Sequence, residues 1–266
     1  MIIKLIAKTT LMNLLLVTFF CALSCGLKND SNTLLVYSAA SLTNIVLETQ
    51  EKFERDRNIK LAFNFGGSQM LASEIANGAP GDIYLSAGHQ PMDFLVKRGD
   101  IDIKLMRPII GNKLIVAVRE DSEYTDIESL DQLVLMDRIA IADPELAPAG
   151  KYAKDALIST SMMDKISDKL IHGHDVRVAL AYLEMGNVDA AIVYSTDMAA
   201  ATGVISKDLI PQTSYEPIVY LGVVIPRSEN KKIALDYLDF LGSESTMRKL
   251  LSQGFSEIPP ENRMKN

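Results

Sequence analysis

Apolar positions along the chain form short runs and helical stripes that alternate with little interruption. A run from position 34 ends in the small residues Ala39 and Ala40, and Leu42, Ile45, Val46, Thr49 and Phe53 then recur at helical spacing. Ser41 stands at that junction, at or next to the N-cap of the predicted helix. A strand over 59–65 follows, and Gly66-Gly67-Ser68 turns into a helix carrying Leu71, Ala72, Ile75 and Ala76. Positions 82–87 read as a third strand after the turn signal Asn-Gly-Ala-Pro-Gly at 77–81, and 94–96 lie on the next helix. Positions 112–119 read as one longer strand, with a crossing between two lobes near Gly111.

The second half repeats the pattern. A strand over 138–142 leads through Pro148 into a helix with Tyr152, Ala156 and Leu157 on one side. A short strand at 169–171 runs into His-Gly-His-Asp (172–175), where Asp175 is a natural N-cap for a helix carrying Val176, Ala179, Leu180 and Leu183. The strand 189–193 has Tyr194 at its carboxyl end, and the apolar stretch 216–225 reads as the return crossing. Two amphipathic helices, 230–242 and 244–252, precede a charged tail.

Such alternation predicts an α/β fold with parallel sheets. Ligands of open α/β sheets bind outside the carboxyl ends of the strands. Ser41, Ser68, Ala149, Val176 and Tyr194 all fall there, so a chain that crosses twice places them on facing walls of one cleft. Helix starts offer free N–H groups and the positive end of the helix dipole, which suits a small anion.

With 266 residues and 48% hydrophobic composition, the chain can bury a core and build two lobes. A formal charge of −7 with no basic run argues against nucleic-acid or anionic-lipid surfaces. At the N-terminus, Lys4 and Lys8 precede the apolar run 11–23, and Ser24-Cys25-Gly26 follows. This reads as a secretory signal (1–24) and a tether (25–33), with Cys25 a candidate for lipidation and membrane anchoring. Cys21 and Cys25 are the only cysteines, so the mature part has no disulfide or cysteine metal site. His172 and His174, two histidines in one loop without a third ligand, read as a solvated turn. Neither Ser41 nor Ser68 sits in a Gly-x-Ser-x-Gly elbow, which argues against a serine nucleophile.

Six segments together resemble the periplasmic molybdate-binding proteins of ABC importers, members of the type II periplasmic binding proteins. They are Ser-Ala-Ala-Ser-Leu-Thr-Asn (38–44), Gly-Ala-Pro-Gly-Asp-Ile-Tyr-Leu-Ser-Ala (78–87), Gly-Asn-Lys-Leu-Ile-Val (111–116), Ala-Asp-Pro-Glu-Leu-Ala-Pro-Ala-Gly-Lys-Tyr-Ala (142–153), Asp-Val-Arg (175–177) and Ile-Val-Tyr-Ser-Thr-Asp (192–197). The resemblance covers about 34–255. It implies a two-lobed fold with two crossover strands, lobe 1 being 34–111 plus 218–258, lobe 2 being 112–217, and 259–266 a tail.

It also implies an oxyanion held by neutral donors. Ser41 and Ser68 would give hydroxyl and backbone N–H, Ala149 and Val176 backbone N–H alone, and Tyr194 its phenol. The 66–69 stretch, Gly-Gly-Ser-Gln, departs from the serine-rich run of other members. The implied function is capture of molybdate or tungstate, without a cofactor, by an exported, monomeric, non-enzymatic protein that delivers it to an ABC permease. The alternative is the same fold binding another tetrahedral oxyanion, sulfate first. A donor-only site suits a deprotonated dianion, because hydrogen phosphate brings a proton that needs an acceptor. Asp175 is expected to cap its own helix and pair with Arg177.

Overall fold

The computed structural model describes residues 32–260. The expected signal, most of the tether with Cys25, and most of the tail lie outside them. In the first lobe, β1 (Thr33–Ala39) leads through a 3-10 turn at Ala40–Leu42 into α1 (Thr43–Arg57). Then come β2 (Lys60–Gly66), α2 (Ser68–Ala76), β3 (Ile83–Ser86), α3 (His89–Arg98) and β4 (Arg107–Asn112). The second lobe holds β5 (Leu114–Arg119), β6 (Ile139–Ala142), α4 (Pro148–Ser159), the single turn α5 (Met163–Ile166), β7 (Leu170–Gly173), α6 (Val176–Glu184), β8 (Ala190–Tyr194) and β9 (Val204–Lys207). The chain then returns as β10 (Ile218–Val224), followed by α7 (Lys231–Leu241) and α8 (Glu244–Ser252).

Two five-stranded sheets result, ordered β2-β1-β3-β10-β4 and β7-β6-β8-β5-β9. The parallel pattern holds where a helix separates strands: β1 runs parallel to β3, and β6 to both β7 and β8. It fails for β5 and β10, which run antiparallel to their neighbours, so the sheets are mixed. Both strands enter their sheets from the other lobe, beginning beside the carboxyl ends of β8 and β3, as Leu114 opposite Tyr194 and Leu221 opposite Ser86 show, and so run against them.

The expected strand 112–119 is β5, begun two residues later, and the crossing expected near Gly111 falls at Lys113; β4 before it was not read from the sequence. β4 pairs with β10 as far as Asn112, Lys113 bridges, and β5 pairs with β8 from Leu114. The half-exposed edge strand β9 gave no sequence signal. The helical stripes agree with expectation. Leu42, Ile45, Val46, Thr49 and Phe53 are buried beneath α1, and Val176, Ala179, Leu180 and Leu183 are the buried face of α6. All seven residues of β10 are buried, as a strand covered on both faces requires.

Candidate functional site

Four helix starts and one strand end converge where the two sheets face each other. Ser41 sits within the 3-10 turn that precedes α1, and no side chain caps that turn or the helix. Leu42 is the N-cap of α1, so Ser41 stands next to the cap as expected, and its hydroxyl accepts a hydrogen bond from the Tyr220 phenol at 2.8 Å. Ser68 is the first residue of α2 after the N-cap Gly67. The Ala87 N–H donates to Ser68 Oγ at 3.1 Å, and the Tyr84 phenol donates to its carbonyl at 2.7 Å. Ala149 is the second residue of α4, Val176 the first of α6 and Tyr194 the last of β8.

All five line one small cavity, together with Ala39, Ala40, Gly66, Gly67, Ala87, Ala147, Pro148 and Asp175. Every lining residue is buried, so the lobes are closed over it. Small residues keep the backbone close, and Gly67 is the tightest case. A Cβ there would lie 2.4 Å from the Leu146 carbonyl oxygen and 3.0 Å from that of His174, both across the cleft. The same Leu146 carbonyl accepts the Gln69 and Met70 N–H groups at 3.1 and 3.3 Å, tying the start of α2 to the second lobe.

These bonds use up the neighbouring donors. In α6, Asp175 Oδ1 accepts from the Arg177 and Val178 N–H groups at 2.8 and 3.0 Å. In α4, Gly150 and Lys151 donate to the Ala147 carbonyl. Among the described residues, the N–H groups of Ser41, Ser68, Ala149 and Val176 have no protein acceptor, as expected of first-turn amides. The Tyr194 phenol oxygen is likewise buried without a partner, in a residue 1% exposed. A buried, unpaired hydroxyl is costly and calls for an explanation. Burial and the surrounding phenols and carboxylate push its pKa well up, so it is a donor at neutral pH.

No lysine or arginine lines the cavity. Asp175 caps α6 as expected, but its side-chain partner is His174 Nδ1 at 3.1 Å, not Arg177. Arg177 Nε instead meets Asp197 Oδ1 at 2.9 Å, and its Nη2 reaches Asn44 Oδ1 on the first lobe at 3.4 Å. Asp197 is fully buried and accepts the Tyr194 N–H at 3.0 Å. Burial pushes its carboxyl up to about 6 despite the guanidinium beside it. Asn112, Tyr220 and Asp197 stand behind the cavity and were not singled out from the sequence. The available signal was membership of the segments 111–116 and 192–197 for Asn112 and Asp197, and a phenol within the apolar stretch 216–225 for Tyr220.

A wider groove lined by His89, Asp93, Lys151, Asp155 and Glu216 also meets Pro148. Three carboxylates, with Lys151 already paired to Asp155, give it the wrong sign for an anion. No group of three or more His, Cys, Asp or Glu residues suited to a metal ion occurs among the described residues.

The chain matches the bacterial extracellular solute-binding protein family over residues 34–256. A Bacillus subtilis relative with the provisional name ABC transporter substrate-binding lipoprotein YvgL is 33% identical over 84% of this chain and 86% of its own. The molybdate-binding protein ModA of Escherichia coli is 32% identical over 85% and 90%. The structure of the periplasmic molybdate-binding protein of Azotobacter vinelandii superposes with a TM-score of 0.75 over 85% of this chain and 99% of its own, at 20% identity, which speaks to fold alone. More distant matches carry other names: the sulfate-binding protein SubI of Mycobacterium tuberculosis (16% identical, TM-score 0.71, 86% and 88% covered) and an aconitate isomerase of Pseudomonas sp (23% identical, 86% and 89% covered). Matched along nearly its whole described length, with helix starts and a strand end meeting between two lobes, the chain belongs to the bacterial extracellular solute-binding protein family and is homologous to the molybdate-binding proteins.

Proposed function

We propose that the cavity holds one molybdate or tungstate ion through the hydroxyls and N–H groups of Ser41 and Ser68, the N–H groups of Ala149 and Val176, and the Tyr194 phenol. The observation that carries this reading is a closed cavity whose uncommitted polar atoms are donors. First-turn amides without acceptors and a buried phenol without a partner favour a ligand made of acceptors. Asp175 does not change this, because its oxygens are engaged by two N–H groups and His174. The cavity is far below the usual range for organic ligands, roughly 300–1,000 Å³, which supports a small inorganic ion.

Ligands touching both walls would favour the closed arrangement, because only there do all five residues meet. Membership in an extracellular family makes the chain an exported protein, and the relatives' names imply an ABC permease as partner. We read the chain further as a monomer, anchored through lipidated Cys25, that releases its ion to that permease. It is a binder rather than a catalyst in this reading. The cavity lining includes no histidine or lysine, and the two serine hydroxyls lean on a phenol and a peptide N–H, neither of which takes a proton readily.

Sulfate is the second reading, since the same donors suit any tetrahedral dianion. A sulfate ion is smaller, and in a rigid cavity sized for molybdate it would leave donors unmet. Calorimetric titration of the mature protein, unfolded and refolded to strip bound ions, with molybdate, tungstate, sulfate and phosphate separates the readings. One-to-one binding of the first two alone is expected. Sulfate binding at equal strength would overturn the size argument, and silence for all four would overturn the oxyanion reading.

A further inference from the structure

We infer that Tyr220 is a positioning residue that fixes the direction of the Ser41 hydroxyl and so makes the cavity reject protonated oxyanions; this rests on the oxyanion reading above. A serine hydroxyl carries one proton and can turn to donate or to accept. Whether Ser41 offers its proton to a ligand depends on what stands behind it.

Behind it is a chain of hydrogen bonds with one consistent direction. The Lys113 N–H donates to Asn112 Oδ1 at 2.8 Å, which orients the amide. Asn112 Nδ2 then faces the Tyr220 phenol oxygen at 3.0 Å and Thr196 Oγ1 at 2.9 Å, donating to both. The phenol in turn donates to Ser41 Oγ at 2.8 Å, its only acceptor among the described residues. Were Ser41 to donate to Tyr220, the phenolic proton would be stranded in a residue that is 0% exposed, an arrangement that buried groups avoid. The Ser41 proton is therefore left for the cavity.

The ring has little freedom to abandon this role. Phe255 meets it edge-on at 5.5 Å between centroids, and Tyr194 meets it likewise at 6.1 Å. Burial raises the phenol's pKa, so it keeps its proton. A hydroxyl committed in this way turns its proton toward a bare oxyanion oxygen, and with one of its two lone pairs taken by Tyr220 and its proton aimed at the ligand it is a poor acceptor for the O–H of hydrogen phosphate. The Ala87 N–H stands in the same relation to Ser68.

The test is a double-mutant cycle of Tyr220→Phe and Ser41→Ala, read by calorimetry with molybdate, sulfate and phosphate near pH 7, with thermal melts of the ligand-free proteins as a folding check. Tyr220→Phe is expected to weaken binding of the preferred ion by about tenfold. It should also narrow the ratio between that ion and phosphate, because the freed hydroxyl can turn to accept. Added to Ser41→Ala, it is expected to cost nothing further, since the residue it positions is gone. Equal losses in both backgrounds would mark Tyr220 as packing and overturn the inference, as would unchanged affinity in Tyr220→Phe alone. The unmutated protein reports separately on the reading beneath: if it binds none of the ions, the oxyanion reading falls and this inference with it.

Discussion

At the scale of single residues, the site combines groups that the fold leaves unsatisfied with groups that it holds in one orientation. The Tyr194 phenol is the clearest of the first kind, because the described residues supply it with no partner. Removing it should act in opposite directions on two measurements. Tyr194→Phe is expected to weaken ion binding by about 1–3 kcal/mol, while the ligand-free protein melts no lower than before, since an unpaired buried hydroxyl is lost. A variant that lost stability and kept its affinity would place the phenol in the scaffold. Residue identity made the candidate serines and this tyrosine legible in the sequence. Ala149 and Val176 could be placed at strand ends from the alternation, but their role as donors came only through the family resemblance, because a backbone donor leaves no mark on its side chain. The sequence also misassigned Arg177, whose partner Asp197 lies twenty positions away and is buried beside Tyr194. Which of two nearby carboxylates a guanidinium meets is settled by tertiary packing.

At the scale of elements, the α2 start is the most constrained part of the cavity. Gly67 lies where two carbonyls of the other lobe close in, and the next two N–H groups but one after it bond to one of them. Gly67→Ala should wedge the closed arrangement open, at a cost of about 1–3 kcal/mol as for other overpacked contacts. The expected result is an ion affinity reduced by roughly tenfold or more, with solution scattering showing a more open protein at saturating ion. Unchanged affinity would mean that this contact yields freely. Helices were legible here because their buried stripes are periodic, as in α1 and α6. Strand β4 was not, although the crossing beyond it was placed within two residues of Lys113, because its short run Arg107-Pro-Ile-Ile-Gly-Asn112 mixes charged, breaker and apolar residues. The direction of β5 and β10 was equally hidden, because a strand's apolar run does not record its neighbour's orientation.

At the scale of the whole molecule, two mixed sheets bring five distant positions, from Ser41 to Tyr194, around one closed space. The chain carries a formal charge of −7, and the proposed anion site has no cation in its lining. In the proposed reading local donors outweigh net charge, because aligned N–H dipoles act at contact distance while surface charges are screened over roughly 10 Å. The two-lobed architecture was legible in the sequence from alternation and two crossings, whereas closure depends on contacts between positions far apart in the chain. The central claim is that a tetrahedral oxyanion sits in this cavity, and a crystal of the refolded mature protein grown with molybdate tests it most directly, through anomalous scattering at the molybdenum edge. One peak inside the cavity is expected, with oxygens within hydrogen-bond distance of Ser41, Ser68, Ala149, Val176 and Tyr194. A peak elsewhere, or an empty cavity at saturating molybdate, would contradict it.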